Sequence, residues 1–165
     1  MEKSTKLCSF DTSSSATGWC IYINGEYQKS GVFDLNEFKD TSEERLKYMC
    51  TLILNFLDKE KPDLVVAEMT VVSRNAAGQR LLTMILGVVY CWCIQNDVYF
   101  EMLRPTEWRK LISDEKKGRK NKELKAWSKA KVKELFGIDV GDDESDAVLV
   151  GMALINKYKN IEGEI

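Results

Sequence analysis

Ser9-Phe10-Asp11-Thr12-Ser13-Ser14-Ser15-Ala16-Thr17-Gly18-Trp19 joins an apolar run to a β-prone one through a small, polar connection. An apolar run, Leu7 to Phe10, stops at Asp11. Thr12 to Thr17 is small and polar, and with Gly18 it has the composition of a tight connection. Trp19 to Ile23 is β-prone. Asn24-Gly25 is the strongest two-residue hairpin signal, and Tyr27 to Phe33 reads as the partner strand. The chain therefore opens with three antiparallel strands, and an acid ends the first.

Downstream the apolar period lengthens. Leu46, Met49, Ile53, Leu54 and Leu57 recur at three and four, predicting an amphipathic helix from Ser42. Thr41 or Ser42, with the glutamates that follow, supplies its start. Lys61-Pro62-Asp63 stops it. Leu64 to Ala67 reads as a short buried strand ending at Glu68. A helix over Asn75 to Gln95, a strand over Val98 to Leu103 and a short helix from Pro105 to Leu111 follow. Ser113 to Asn121 is a basic loop. Lys122 to Phe136 is helical, Gly137 ends it, and Asp142 to Tyr158 forms the last helix. This order predicts one α/β domain over residues 1–165: a mixed five-stranded sheet with helices on both faces. Ligand chemistry in such sheets sits at the carboxyl ends of the central strands.

Composition narrows the chemistry. Hydrophobic residues make up 44% and charged residues 30%, the balance of a globular protein. The most apolar stretch, Leu81 to Ile94, is shorter than a bilayer span. The polar N-terminus is unlike a signal peptide. No membrane association and a cytoplasmic location are the expectations. Cys8, Cys20, Cys50, Cys91 and Cys93 are odd in number and lack disulfide-framework spacing, so they read as small core residues. There is no histidine. That excludes a Ser-His-Asp triad, a histidine general base and mixed Cys/His zinc sites. The net charge of -2 hides segregation. Asp114 to Lys133 holds nine Lys/Arg against three Asp/Glu, whereas Asp139 to Asp146 holds five acids and no base.

Four acids fall where the sheet rule places a site. Asp11 ends the first strand, Glu68 ends the fourth, and Asp143 and Asp146 lie three apart at the start of the last helix. Residues three apart on a helix share a face. Crowded carboxylates raise one another's pKa, and a divalent cation removes that cost. Magnesium suits oxygen ligands and substrate phosphates, with manganese as the alternative. Two such ions can hold the attacking water and the leaving 3′ oxygen in line, the natural route to phosphodiester hydrolysis without histidine. The plainer reading is that acids at a helix start merely cap it and offset its dipole. It competes with function for any single acid, but less well for the four together.

The first of these stretches resembles the opening strand-turn-strand of RuvC Holliday-junction resolvases, an Asp followed by small residues, Thr-Gly and an aromatic. Asp63 to Asn75 (DLVVAEMTVVSRN) resembles that family's apolar strand with a catalytic Glu, then a basic residue and Asn. Asp143-Glu144-Ser145-Asp146-Ala147 resembles its closing D-x-x-D-A. The three occur in order across nearly the whole chain. The resemblance implies an RNase H-like fold, a homodimer, and paired symmetric nicks across a four-way DNA junction. It assigns metal binding and catalysis to Asp11, Glu68, Asp143 and Asp146, and a contact near the scissile phosphate to a lysine at about Lys129. Met69-Thr70-Val71 stands where the family often has an aromatic wedge, Thr12-Ser13 replaces its Pro-Gly, and Ser113 to Lys125 is longer and more basic. That is the pattern of a diverged member, and Val71→Phe would probe the missing wedge.

Lys116, Lys117, Arg119, Lys120 and Lys122 are the candidate phosphate contacts, continued along the helix by Lys125, Lys129, Lys131 and Lys133. Arg74 and Arg104 follow strand ends and border the same cleft. A solvated basic face is the alternative for any one lysine. Trp108 and Trp127 can stack on bases, but at helical spacing core packing is the commoner role. The helix over Asn75 to Gln95 is apolar on more than one side, which points to a homodimer unless the monomer buries it all. Rival functions are a broader RNase H-like nuclease acting on branched DNA or RNA–DNA hybrid, one lobe of an actin-like ATPase, and a non-catalytic junction-binding module. The ATPase needs two such lobes, and the intact acids argue against the binding module.

Overall fold

The computed structural model describes residues 4–70, 76–115 and 120–162. Three strands come first: β1 (Lys6–Asp11), β2 (Ala16–Ile23) and β3 (Glu26–Asp34). Helix α1 (Ser42–Glu60) leads to β4 (Leu64–Glu68), α2 (Ala76–Gln95) and β5 (Tyr99–Leu103). Helices α3 (Pro105–Ile112), α4 (Asn121–Phe136) and α5 (Asp142–Glu162) close the chain. The sheet order is β3-β2-β1-β4-β5. The first three strands form an antiparallel meander, and β4 and β5 run parallel to β1. This is the expected mixed five-stranded α/β sheet.

Local chemistry sets the element ends. Asn24 (φ 52°) and Gly25 (φ 80°) both take positive φ, as the tight β2–β3 turn demands. The Thr41 hydroxyl caps α1 by accepting from Glu44 N at 3.2 Å. Lys61, at φ 47°, turns the chain out of α1 ahead of Pro62. Glu123 reaches back to accept from Lys120 N at 3.1 Å, so α4 begins at Asn121, one residue before the expected Lys122. Gly137 ends it at φ 70°.

Strand parity divides the core in two. Cys8, Phe10, Ile21, Val65 and Ala67 face α1 and α2, against Met49, Ile53, Leu57, Ile85, Val89 and Trp92. Leu7, Cys20, Tyr22, Val66 and Leu103 face the other side, packed with Trp108 of α3, Val132 of α4, and Val148, Leu149 and Leu154 of α5. The free cysteines Cys8, Cys20 and Cys93 are buried as expected, while Cys91 is exposed.

Helix α2 extends beyond the apolar run Leu81 to Ile94. Its 20 residues are long and apolar enough to cross a membrane by length and composition, where the run Leu81 to Ile94 alone read as too short. Its inner face, Ile85, Leu86, Val89, Trp92 and Cys93, is packed in the core. Its outer face leaves Met84 (55%), Tyr90 (52%) and Ile94 (63%) exposed.

Candidate active site

Parity and register carry the first two acids to one place. Along β1, Leu7, Ser9 and Asp11 share the face that Leu64, Val66 and Glu68 share on β4. The parallel register pairs Ser9 with Val66 and Phe10 with Ala67, so the next step sets Asp11 beside Glu68. Both lie at the carboxyl edge, on the face covered by α5.

Helix α5 supplies the other two, held close by three contacts. The Ser9 hydroxyl donates to Ala147 O and the Tyr22 hydroxyl to Val148 O, each at 2.8 Å. At Gly18 of β2 a Cβ would stand 1.9 Å from Asp143 O. Only glycine lets the start of α5 lie against the sheet there. Gly18 is thus part of the site, although its composition reads as no more than a turn signal.

The four carboxyls sense one another. Burial lifts Asp11 well above the usual carboxylate range, Glu68, Asp146 and Asp143 lift it further, and Lys125 partly offsets them. Burial also raises Glu68, against the pull of Trp108 and Arg109. Asp146 and Asp143 are raised by burial too, each opposed by Lys125. The Ser128 hydroxyl and then Arg109 draw Asp146 back down, although neither Ser128 Oγ nor Asp146 Oδ1 has a partner in hydrogen-bond geometry among the described residues. The result is a pocket of partly desolvated carboxyls short of positive charge.

Two residues of α3 complete it, and neither role was read from the sequence. Trp108 is fully buried, and its Nε1 donates to Glu68 Oε2 at 2.5 Å. That places this tryptophan in the core rather than on a base. The Arg109 guanidinium stacks 4.4 Å from the Trp108 ring centroid, and its Nη2 lies 4.0 Å from Asp146 Oδ2. The signal was the W-R pair just after Pro105, but its meaning depends on α3 packing against α5.

The basic residues divide. Arg104 stands just before α3 at the carboxyl end of β5, without a capping hydrogen bond from its side chain, and is exposed, as are Lys120 and Lys122 near the start of α4. Lys129 does not meet the four acids directly: its Nζ pairs with Asp142 at 2.9 Å. Lys125 is the lysine of α4 whose charge reaches Asp11, Asp143 and Asp146. Lys131 is engaged by Glu115 and Glu134, and Lys133 by Asp139. Trp127 donates to Glu115 at 2.7 Å. Arg74, Lys116, Lys117, Arg119 and Val71 lie outside the described residues.

Among the described residues no three acids close on one point as a ready metal cage. The donor set still fits a hard cation. All four candidates present carboxylate oxygen, each is raised by burial, and one buried oxygen of Asp146 is unpartnered. Asp11, Glu68, Asp143 and Asp146 are the residues that could hold it.

Solved structures share this architecture. RuvC of Thermus thermophilus, in complex with a Holliday junction substrate, superposes with a TM-score of 0.71 at 12% identity, over 94% of this chain and 95% of that one. The yeast mitochondrial Holliday junction resolvase gives 0.66 at 14%, covering 96% and 81%. The fowlpox virus resolvase, in complex with Holliday junction DNA, gives 0.64 at 14%, covering 93% and 99%. No family model matches the sequence, and no curated protein does. The chain has the RuvC-like form of the RNase H-like fold.

Proposed function

We propose that this chain is a metal-dependent, structure-selective DNA endonuclease that resolves four-way junctions by paired phosphodiester hydrolysis. One observation carries the reading. Asp11 at the carboxyl edge of β1 lies near enough to Glu68, Asp143 and Asp146 to be raised by their charge, in a fold shared, over nearly its whole length, with a RuvC solved on a Holliday junction substrate.

Asp11, Glu68, Asp143 and Asp146 would hold magnesium, or manganese, with two ions as the working expectation. Held by these four carboxylates, such an ion would supply water activation near neutral pH and offset to the charge on the phosphate. The chain's own groups prepare the site. Trp108 fixes the orientation of Glu68 through its N–H. Arg109, pinned on the Trp108 ring, steadies Asp146. Lys125 adds a positive charge beside the acids, where a bound phosphodiester would otherwise be repelled. Lys120, Lys122 and Arg104 extend positive charge outward, with Arg74, Lys116, Lys117 and Arg119 as further candidates from the sequence. Charge contacts of this kind supply affinity without reading base sequence.

The exposed apolar side of α2 supports a homodimer. Met84, Gly87, Val88 and Cys91 line a shallow depression of about 450 Å³ between α1 and α2. Two-fold pairing is the commonest way to cover such a surface, and it would present two sites for symmetric nicks.

Asp146→Asn tests the site. The variant keeps the shape and removes the charge. We expect junction binding within about threefold of the parent, and cleavage lower by about 10³-fold or more, the scale of losing one preorganised charge at a reacting phosphate. Gel-shift and single-turnover cleavage on the same junction measure both. Full activity in this variant would remove Asp146 from the mechanism.

A further inference from the structure

Asp142 is not one of the four site acids, yet it holds two cations. Lys129 Nζ lies 2.9 Å from its Oδ1 and Lys125 Nζ lies 3.4 Å from its Oδ2. The two lysines sit four apart on α4, so both look across the same gap toward the first turn of α5. The three residues line an open depression of about 590 Å³ with Asn121, Lys122 and Ala126. Lys125 also faces inward, toward Asp11, Asp143 and Asp146. The pair of lysines thus runs outward from the edge of the acid pocket.

This ion pair is open to solvent. Lys125 is 38% exposed, Lys129 47% and Asp142 38%, and ion pairs at such exposure contribute little to stability. A carboxylate offers two oxygens and one negative charge. A backbone phosphodiester offers the same, two non-bridging oxygens sharing one charge. We propose that Lys125 and Lys129 form a clamp for a backbone phosphate of the bound DNA strand, and that Asp142 occupies this clamp in the DNA-free chain and leaves it on binding. The inference rests on the reading that the cleft takes DNA. Its consequence is that Asp142 lowers affinity for DNA of any shape. A merely structural Asp142, favouring the helix start, would not do so.

The test uses the full chain, its Asp142→Asn variant, the double variant Lys125→Gln/Lys129→Gln, and the triple variant. Binding of a labelled four-way junction and of a matched duplex is measured in chelator across a salt series. Asp142→Asn should bind both DNAs about 3- to 10-fold more tightly, with the slope of log K against log[salt] steeper by about one. The lysine double variant should bind more weakly with a shallower slope, and Asp142→Asn should add nothing in that background. Unchanged or weaker binding by Asp142→Asn, in a variant that still melts cooperatively, would overturn the clamp. So would an equal gain in the lysine double background, which would mark general charge removal. Asp142→Ser repeats the test if the Asn variant folds poorly. A junction bound no better than duplex would count against the junction reading while leaving the clamp standing. No binding of either DNA would overturn both.

Discussion

Asp11 shows how a single residue can trade stability for chemistry. Its carboxyl is lifted first by burial and then by three neighbouring acids. A carboxyl raised in the folded state binds its proton more tightly there than in the unfolded chain. Ionising it therefore costs stability, and that cost grows as pH rises from the unfolded value, about 3.9, through the raised folded one. Asp11→Asn should remove this pH-dependent loss. In chelator at neutral pH we expect a gain on the order of 1 kcal/mol, about 2–4 °C in Tm for a chain of this size. Added magnesium should raise the parent's Tm and leave the variant's nearly unchanged. Melting curves across pH, with and without the ion, measure this. A parent that melts at the same temperature as Asp11→Asn throughout would mean the pocket is not short of positive charge. The positions of the four acids, at the ends of β1 and β4 and the start of α5, were legible in the sequence because strand ends and the D-x-x-D spacing are local patterns. Arg109 was not, and Trp108 and Lys125 were named without their carboxylate partners, since those contacts depend on α3 and α4 packing against α5, segments far apart in the chain.

At the scale of elements, the start of α5 is placed by what β2 lacks. Gly18 has no side chain, and Asp143 O occupies the space a Cβ would need. Ser9 and Tyr22 then fix the helix by hydrogen bonds to its carbonyls. Gly18→Ala should push α5 off the sheet and move Asp143 and Asp146 away from Asp11 and Glu68. We expect a loss of about 1–3 kcal/mol, the usual range for forcing a methyl into a filled site, and cleavage reduced by about 10²-fold. Denaturant unfolding and single-turnover cleavage of a labelled four-way junction test both. Wild-type activity would show that the helix can shift without consequence. The elements themselves were readable in order and type, because Asn24-Gly25, Pro62, Pro105 and Gly137 punctuate them strongly. Their ends moved by a residue or a few: α4 starts at Asn121 through Glu123, and α5 runs on to Glu162.

At the scale of the whole molecule, one sheet divides two cores with different work. The α3–α4–α5 side builds the pocket, and the α1–α2 side presents exposed Met84, Tyr90 and Ile94. A homodimer joined through α2 would cover that surface. Met84→Glu should then shift the chain to monomer in sedimentation or light scattering and reduce coordinated second-strand nicking about 10-fold or more, while Tm at high dilution changes little. An unaltered assembly state would exclude this face as the interface. The apolar pattern of α2 pointed to a surface needing cover, but how much of it the monomer buries became visible only in the fold.

The decisive measurement is cleavage of a labelled synthetic four-way junction beside matched duplex and RNA–DNA hybrid, with magnesium and with chelator. A junction-resolving endonuclease should place symmetric nicks on the junction alone, abolished by chelator. Equal cleavage of all three substrates, or junction binding without cleavage under magnesium or manganese, would contradict it.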